Sequence, residues 1–144
     1  MRGEVMVRID ILRNITARGK LKDVIEFTKD FTEGGQKLIL FVHLKEVAEA
    51  LLSAFPQAVA IRGGMTGEEK QRSIDQFRSN PDTNVIICSI MAAGVGVNGL
   101  QEVCSHVGFV EFPWNYSDCI QCEDRAHRIG QKDSVTCYYF LGKN

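Results

Sequence analysis

Apolar positions along this chain follow two rhythms that alternate. From Gly19, residues Leu21, Val24, Ile25, Thr28 and Phe31 recur at helical spacing, and Gly34-Gly35 ends the run. KLILFVH, at 37–43, is a short continuous apolar run of strand type. Leu44, Val47, Ala48, Leu51, Leu52 and Phe55 return to helical spacing until Pro56, whose ring and missing N–H stop a helix. AVAI at 58–61 is a second strand, and Thr66 with Glu69 makes a capping box that opens a helix to about Ser79. After the turn at Pro81-Asp82, VIICS at 85–89 and VGFVEF at 107–112 are two more strands. Asn115 or Ser117 caps another helix, and VTCYYFL at 135–141 is a fifth strand. Residues 1–17 support nothing beyond extended or irregular chain and are expected to form an N-terminal extension to one domain over 18–144.

Apolar strands alternating with amphipathic helices predict an α/β fold with three layers, α/β/α, around a mostly parallel sheet of about five or six strands. In open sheets of this kind ligands bind beyond the carboxyl ends of the strands. His43, the turn Arg62-Gly63-Gly64-Met65, the segment Ser89 to Gly99, and Glu111 to Asn115 all follow strands, so one rim collects the small and polar residues.

Composition narrows the setting. The chain has 144 residues, 44% hydrophobic and 24% charged, with a net charge of −1. Any basic footprint must therefore be local. No run reaches the ~20 apolar residues of a membrane span, and MRGEVMVRIDILRN does not read as a secretory signal. Five cysteines, an odd number, favour free thiols in a reducing compartment. Cys119-x-x-Cys122 has no second pair to complete a four-ligand zinc site, so its default reading is packing.

The chemistry gathers in two segments. In QCEDRAHRIGQ, Gln121, Arg125 and Arg128 stand at i, i+4 and i+7, on one helical face, with Gly130 where the helix would end. Two guanidinium groups and an amide on one stripe form a planar donor array suited to phosphate oxygens. The alternative is a solvated stripe paired with Glu123 or Asp124. In SIMAAGVGVNGL, Gly94-x-Gly96-x-x-Gly99 has the form of a dinucleotide fingerprint. That reading needs its first glycine at the strand end and a full helix behind it. Here IMAA intervenes, and only LQEVCSH precedes the next strand.

Taken together these segments resemble SWI/SNF-type, superfamily-two helicase-like ATPases. Q-x-x-D-R-A-H-R-I-G-Q is similar to their last helicase motif, and Ala92-Ala93-Gly94-Val95-Gly96-Val97-Asn98 to their fifth, in the style of the annealing-helicase branch. KLILFVHLKEVAEAL resembles the fourth motif, and RGGMTGEEKQRSIDQF the loop and helix after it. The resemblance covers about Gly19 to Lys143. Gly99-Leu100 stands where many relatives carry Leu-Thr. The sequence contains no G-x-x-x-x-G-K-(S/T) phosphate loop and no Asp-Glu pair after an apolar strand, features of the other lobe of such motors.

The resemblance implies a RecA-like second lobe, part of a larger protein and inactive alone. Its ATP would lie between lobes, with Mg2+ held by the first. It further implies Arg125 and Arg128 as catalytic arginines, and Gln121, Gly94, Gly96 and Asn98 at the nucleotide. His43, Gly63, Gly64, Thr66 and Ser89 are the expected contacts to a DNA backbone, most naturally double-stranded. The expected partner is the N-terminal lobe of the same protein, and the fragment is expected to be monomeric. The setting is intracellular, cytoplasmic in a prokaryote and nuclear in a eukaryote. His127 reads as structural. Trp114 reads as packing against its helix or stacking on a base. A detached lobe serving as an interaction or regulatory module is the second functional class.

Overall fold

The computed structural model describes residues 4–12, 17–42, 44–89, 106–110 and 134–142. Their elements run β1 (Glu4–Leu12), α1 (Ala17–Thr32), β2 (Leu38–Val42), α2 (Lys45–Ala54), β3 (Val59–Ile61), α3 (Gly67–Ser79), β4 (Val85–Ser89), β5 (His106–Phe109) and β6 (Ser134–Gly142). Among the described residues six strands form one sheet in the order β1-β6-β5-β2-β4-β3. Every ladder is parallel. The α/β expectation holds, and apart from the carboxyl end of β5 the expected strands and helices fall within a residue or two of their observed bounds wherever the chain is described.

Side chains alternate across a strand, so each strand serves both faces of the sheet. Leu38, Leu40 and Val42 of β2 join Val85 and Ile87 of β4 and Tyr138 and Phe140 of β6 in one buried cluster. Val24 of α1 and Ala48 and Leu51 of α2 close over it. The intervening residues Ile39, Phe41, Ile86 and Cys88 are equally buried, as are Ile74 and Phe77 of α3. Phe41 stacks on Phe109 with ring centroids 5.3 Å apart. A strand buried on both faces needs the continuous apolar run seen in LILFV.

Local chemistry fits each helix to its place. Thr28 lies on the core face of α1 and is fully buried. Its hydroxyl donates to the Val24 carbonyl at 2.8 Å, so no polar group is stranded. The predicted capping box at α3 is present. Thr66 Oγ1 accepts from the Glu69 N–H at 3.1 Å, and Glu69 Oε1 accepts from the Thr66 N–H at 3.2 Å. Gly108 is set by close packing, because a Cβ there would lie 2.8 Å from Leu40 Cδ2 and 3.1 Å from Phe140 Cε2.

Three observations depart from the sequence reading. Glu4–Leu12, left unassigned above, is a full strand paired with β6 from Glu4↔Ser134 to Leu12↔Gly142. Leu44, placed on the apolar face of α2, precedes the helix and is 48% exposed. β5, expected to run to Phe112, ends at Phe109, although the Val110 N–H still donates to the Phe41 carbonyl at 3.0 Å.

The amino ends of β2 and β4 are closed by a lysine. Lys37 Nζ donates to the carbonyls of Asn80 at 3.0 Å and Thr83 at 2.7 Å, and lies 5.0 Å from the centre of the Phe77 ring. The Leu38 N–H donates to the Asn84 carbonyl at 2.8 Å. The α3 C-terminus is thus tied to the start of β2.

Candidate nucleic-acid interface

The carboxyl ends of β2, β4 and β3 open onto a cleft of about 540 Å³. The sheet register builds it. Val42 pairs with Ser89, and Ile61 pairs with Cys88, which sets Arg62 level with Ser89 one position further on. Alternation then puts Val42, Ser89 and Arg62 on the α2 side of the sheet. The first two turns of α2 supply Lys45, Ala48 and Glu49 to the same cleft, and Gly63 completes its rim.

The turn after β3 is fixed from both sides. The Met65 N–H donates to the Arg62 carbonyl at 3.4 Å, and the Arg62 N–H donates to Met65 Sδ at 3.1 Å. Gly64 has φ +85°, as the third residue of a type II turn requires. The Gly63 and Gly64 N–H groups are not used by these bonds, and the space where a Cβ would project from either glycine is open.

Charge in the cleft is loosely paired. Arg62 Nη2 lies 3.5 Å from Glu49 Oε1, and Lys45 Nζ lies 3.9 Å from the same oxygen. The Lys45 and Glu49 side chains are 75% and 55% exposed, whereas that of Arg62 is 29% exposed. Lys45 stands in the first turn of α2, where the helix dipole disfavours a cation. It also precedes Glu49 at i, i+4, the weaker orientation for such a pair. Helix stability therefore does not explain this lysine. The Leu44 cap position makes no side-chain bond to the first-turn N–H groups.

Of the residues expected at nucleic acid, the cleft brings together Gly63 and Ser89. Gly64 and Thr66 stand in the adjoining turn and helix cap, outside the lining. The Thr66 N–H and hydroxyl oxygen are engaged in the cap, and Glu68 and Glu69 occupy the first turn of α3. His43, Trp114 and His127 lie outside the described residues, as do Gly94, Gly96, Asn98, Gln121, Arg125 and Arg128, and Cys119-x-x-Cys122. Sequence reasoning missed Lys45, Glu49 and Arg62 as members of one group. The available signal was position, since Arg62 follows one strand directly and Lys45 and Glu49 begin the helix after another.

Among the described residues no group of three or more His, Cys, Asp or Glu side chains is placed to hold a metal ion. Among the described residues, the one group with a shifted pKa lies elsewhere. His106 begins β5, at the amino edge, where burial lowers its pKa below the usual value.

A parallel sheet covered by helices, with an open carboxyl rim carrying cationic and small residues, belongs to the three-layer α/β class whose ligands bind at that rim. The chain belongs to the helicase conserved C-terminal domain family, whose model matches residues 19–130. It is 35% identical over 131 residues to the DNA annealing helicase and endonuclease ZRANB3 of Mus musculus, covering 88% of this chain and 12% of that protein. It is 33% identical over 135 residues to the SWI/SNF-related matrix-associated actin-dependent regulator of chromatin subfamily A-like protein 1 of Xenopus tropicalis, covering 90% of this chain and 14% of that one. The chain thus spans about an eighth of the length of these relatives. A solved structure of the C-terminal part of the Fun30 ATPase domain superposes with a TM-score of 0.71 at 26% identity, covering 88% of this chain and 42% of that chain. The expected SWI/SNF-type kinship and RecA-like lobe fold both hold. The family match includes the glycine loop at 94–99, which removes the support for the dinucleotide reading.

Proposed function

We propose that this chain is the second lobe of a SWI/SNF-type, ATP-driven DNA translocase. The observation that carries the reading is the family match over residues 19–130, which takes in the cleft described above, the glycine loop and the arginine motif. The first lobe of the motor would cradle the triphosphate and hold Mg2+. This lobe would present Arg125 and Arg128 across the gap, where their guanidinium groups stabilise charge developing on the γ-phosphoryl oxygens. Gln121 orients that pair, and Gly94, Gly96 and Asn98 approach the nucleotide through backbone and amide groups. Lobe closure brings the arginines into place, which ties hydrolysis to movement. Gly63, Gly64, Thr66, Ser89 and His43 lie along or beside the path of a DNA backbone, double-stranded by preference, and the setting is intracellular, nuclear in a eukaryote.

An arginine of this type contributes about 10³–10⁵ in rate, or roughly 4–7 kcal/mol. In the full-length motor, Arg128→Ala is expected to lower DNA-stimulated ATP turnover by about a hundredfold or more while ATP binding changes little. Turnover within about threefold of the parent would remove Arg128 from the catalytic role.

A further inference from the structure

We infer that the cleft beyond β2, β4 and β3 is a site for one backbone phosphate of a nucleic acid, with Arg62 as its cation and Glu49 as a built-in competitor for that cation. The inference rests on the nucleic-acid reading above and adds to it two residues and a means of regulating affinity.

The geometry favours a displaceable contact. Arg62 is the less exposed partner at 29%, against 55% for Glu49, and its backbone is held by the two bonds to Met65. One guanidinium nitrogen approaches one carboxylate oxygen at 3.5 Å, longer than the 2.7–2.9 Å of a strong charge-assisted bond. The carboxylate is mostly in water, so the pair is weak and screened by salt. A phosphodiester offers the same guanidinium two oxygens in the planar arrangement it matches best.

Val42, Leu44 and Ala48 give the cleft an apolar floor and wall, and its other lining residues suit the same guest. Lys45 shares the Glu49 oxygen at 3.9 Å and stands in water beside the opening. Ser89 brings a small hydroxyl side chain level with Arg62, and Gly63 leaves open space where a larger residue would project. Without Glu49 the cleft would hold two cations and bind polyanions more tightly and less selectively. With Glu49 it binds only a ligand able to take its place beside Arg62. Glu49 is thus a specificity residue acting through Arg62.

The test uses this 144-residue chain and a 20-base-pair DNA duplex, with affinity measured by fluorescence anisotropy across a salt series. A parallel arm titrates inorganic phosphate and follows backbone amide signals. Glu49→Gln is expected to tighten duplex binding about three- to tenfold, Arg62→Ala to weaken it by at least about fivefold, and the Arg62→Ala log–log salt slope to fall by about one. The double variant should match Arg62→Ala, because Glu49 has nothing to compete for once the guanidinium is gone. Phosphate should shift the amides of Gly63 and Ser89 in the parent and Glu49→Gln chains and leave them unmoved in Arg62→Ala. A gain from Glu49→Gln that survives in the Arg62→Ala background would overturn the inference, since it would reflect overall charge alone. So would duplex binding indifferent to both single substitutions, which would leave the nucleic-acid reading standing. Phosphate binding with the expected variant pattern but no duplex binding at low salt would overturn the inference together with the DNA reading, and leave a site for free anions.

Discussion

The two ends of one sheet use their charged residues in opposite ways. At the amino end, the half-buried Lys37 is held between two carbonyls at 2.7 and 3.0 Å and the Phe77 ring, and Thr83 beside it is fully buried. At the carboxyl end, Arg62 and Lys45 share one half-exposed carboxylate oxygen at 3.5 and 3.9 Å. The first arrangement satisfies neighbouring acceptors through short bonds. The second leaves donors that a ligand can recruit at little cost. In a fold of this type a short, enclosed contact marks a stability role, and a long, wet one marks a surface available for binding.

Substitution at the two ends should separate these roles. Lys37→Met leaves two carbonyls without their donor and is expected to cost about 2 kcal/mol in urea unfolding, with DNA affinity unchanged. Arg62→Met, by the same measurement, should cost less than about 0.5 kcal/mol. Equal losses at the two positions would erase the contrast. Gly108→Ala forces a methyl against Leu40 and Phe140 and is expected to cost about 1–2 kcal/mol, read as a lower urea midpoint at unchanged slope. A neutral result would mean that the core between α1 and the sheet repacks freely.

The smallest effect concerns pH. His106 Nδ1 lies 3.3 Å from the Tyr138 hydroxyl, with the Phe31 ring edge-on at a centroid distance of 5.0 Å. Burial lowers its pKa in the folded chain. The unfolded chain therefore binds a proton first as pH falls. The stability linked to His106 is complete above its unfolded pKa of about 6.5 and is lost as pH drops through that value toward the lower folded one. Unfolding midpoints at pH 7.5 and 5.5 should differ less in His106→Gln than in the parent chain. An equal or larger difference would place the acid sensitivity elsewhere.

Much of this architecture was legible in the sequence, for identifiable reasons. LILFV and the first four residues of VIICS are apolar throughout because both faces of the sheet cover them, and the Thr66–Glu69 box announced α3 by its spacing alone. β1 was not read, although Val5, Val7, Ile9 and Ile11 alternate with polar or flexible positions. Its partner strand lies at the far end of the chain, and nothing local distinguishes such a segment from an extended tail. The cleft was half legible. Strand ends pointed to Gly63 and Ser89, whereas Lys45 and Glu49 look like any solvated helix start. Their meeting with Arg62 depends on β4 lying between β2 and β3 in the sheet, an order that residue spacing does not encode. The arginine motif was the plainest chemical signal in the sequence, and it falls outside the described residues.

The nine-position ladder joining β1 to β6 has a temporal consequence. During synthesis β1 leaves the ribosome first, and its hydrogen-bonding edge has no native partner until Ser134–Gly142 is made. The opposite half of the sheet, β2 with β4 and β3, has all its strands by Ser89 and can assemble well before that. Completion of the sheet must wait for the distant pairing, a slow step for a parallel ladder. A nascent chain stalled in that interval would carry an unpaired strand open to a neighbour's.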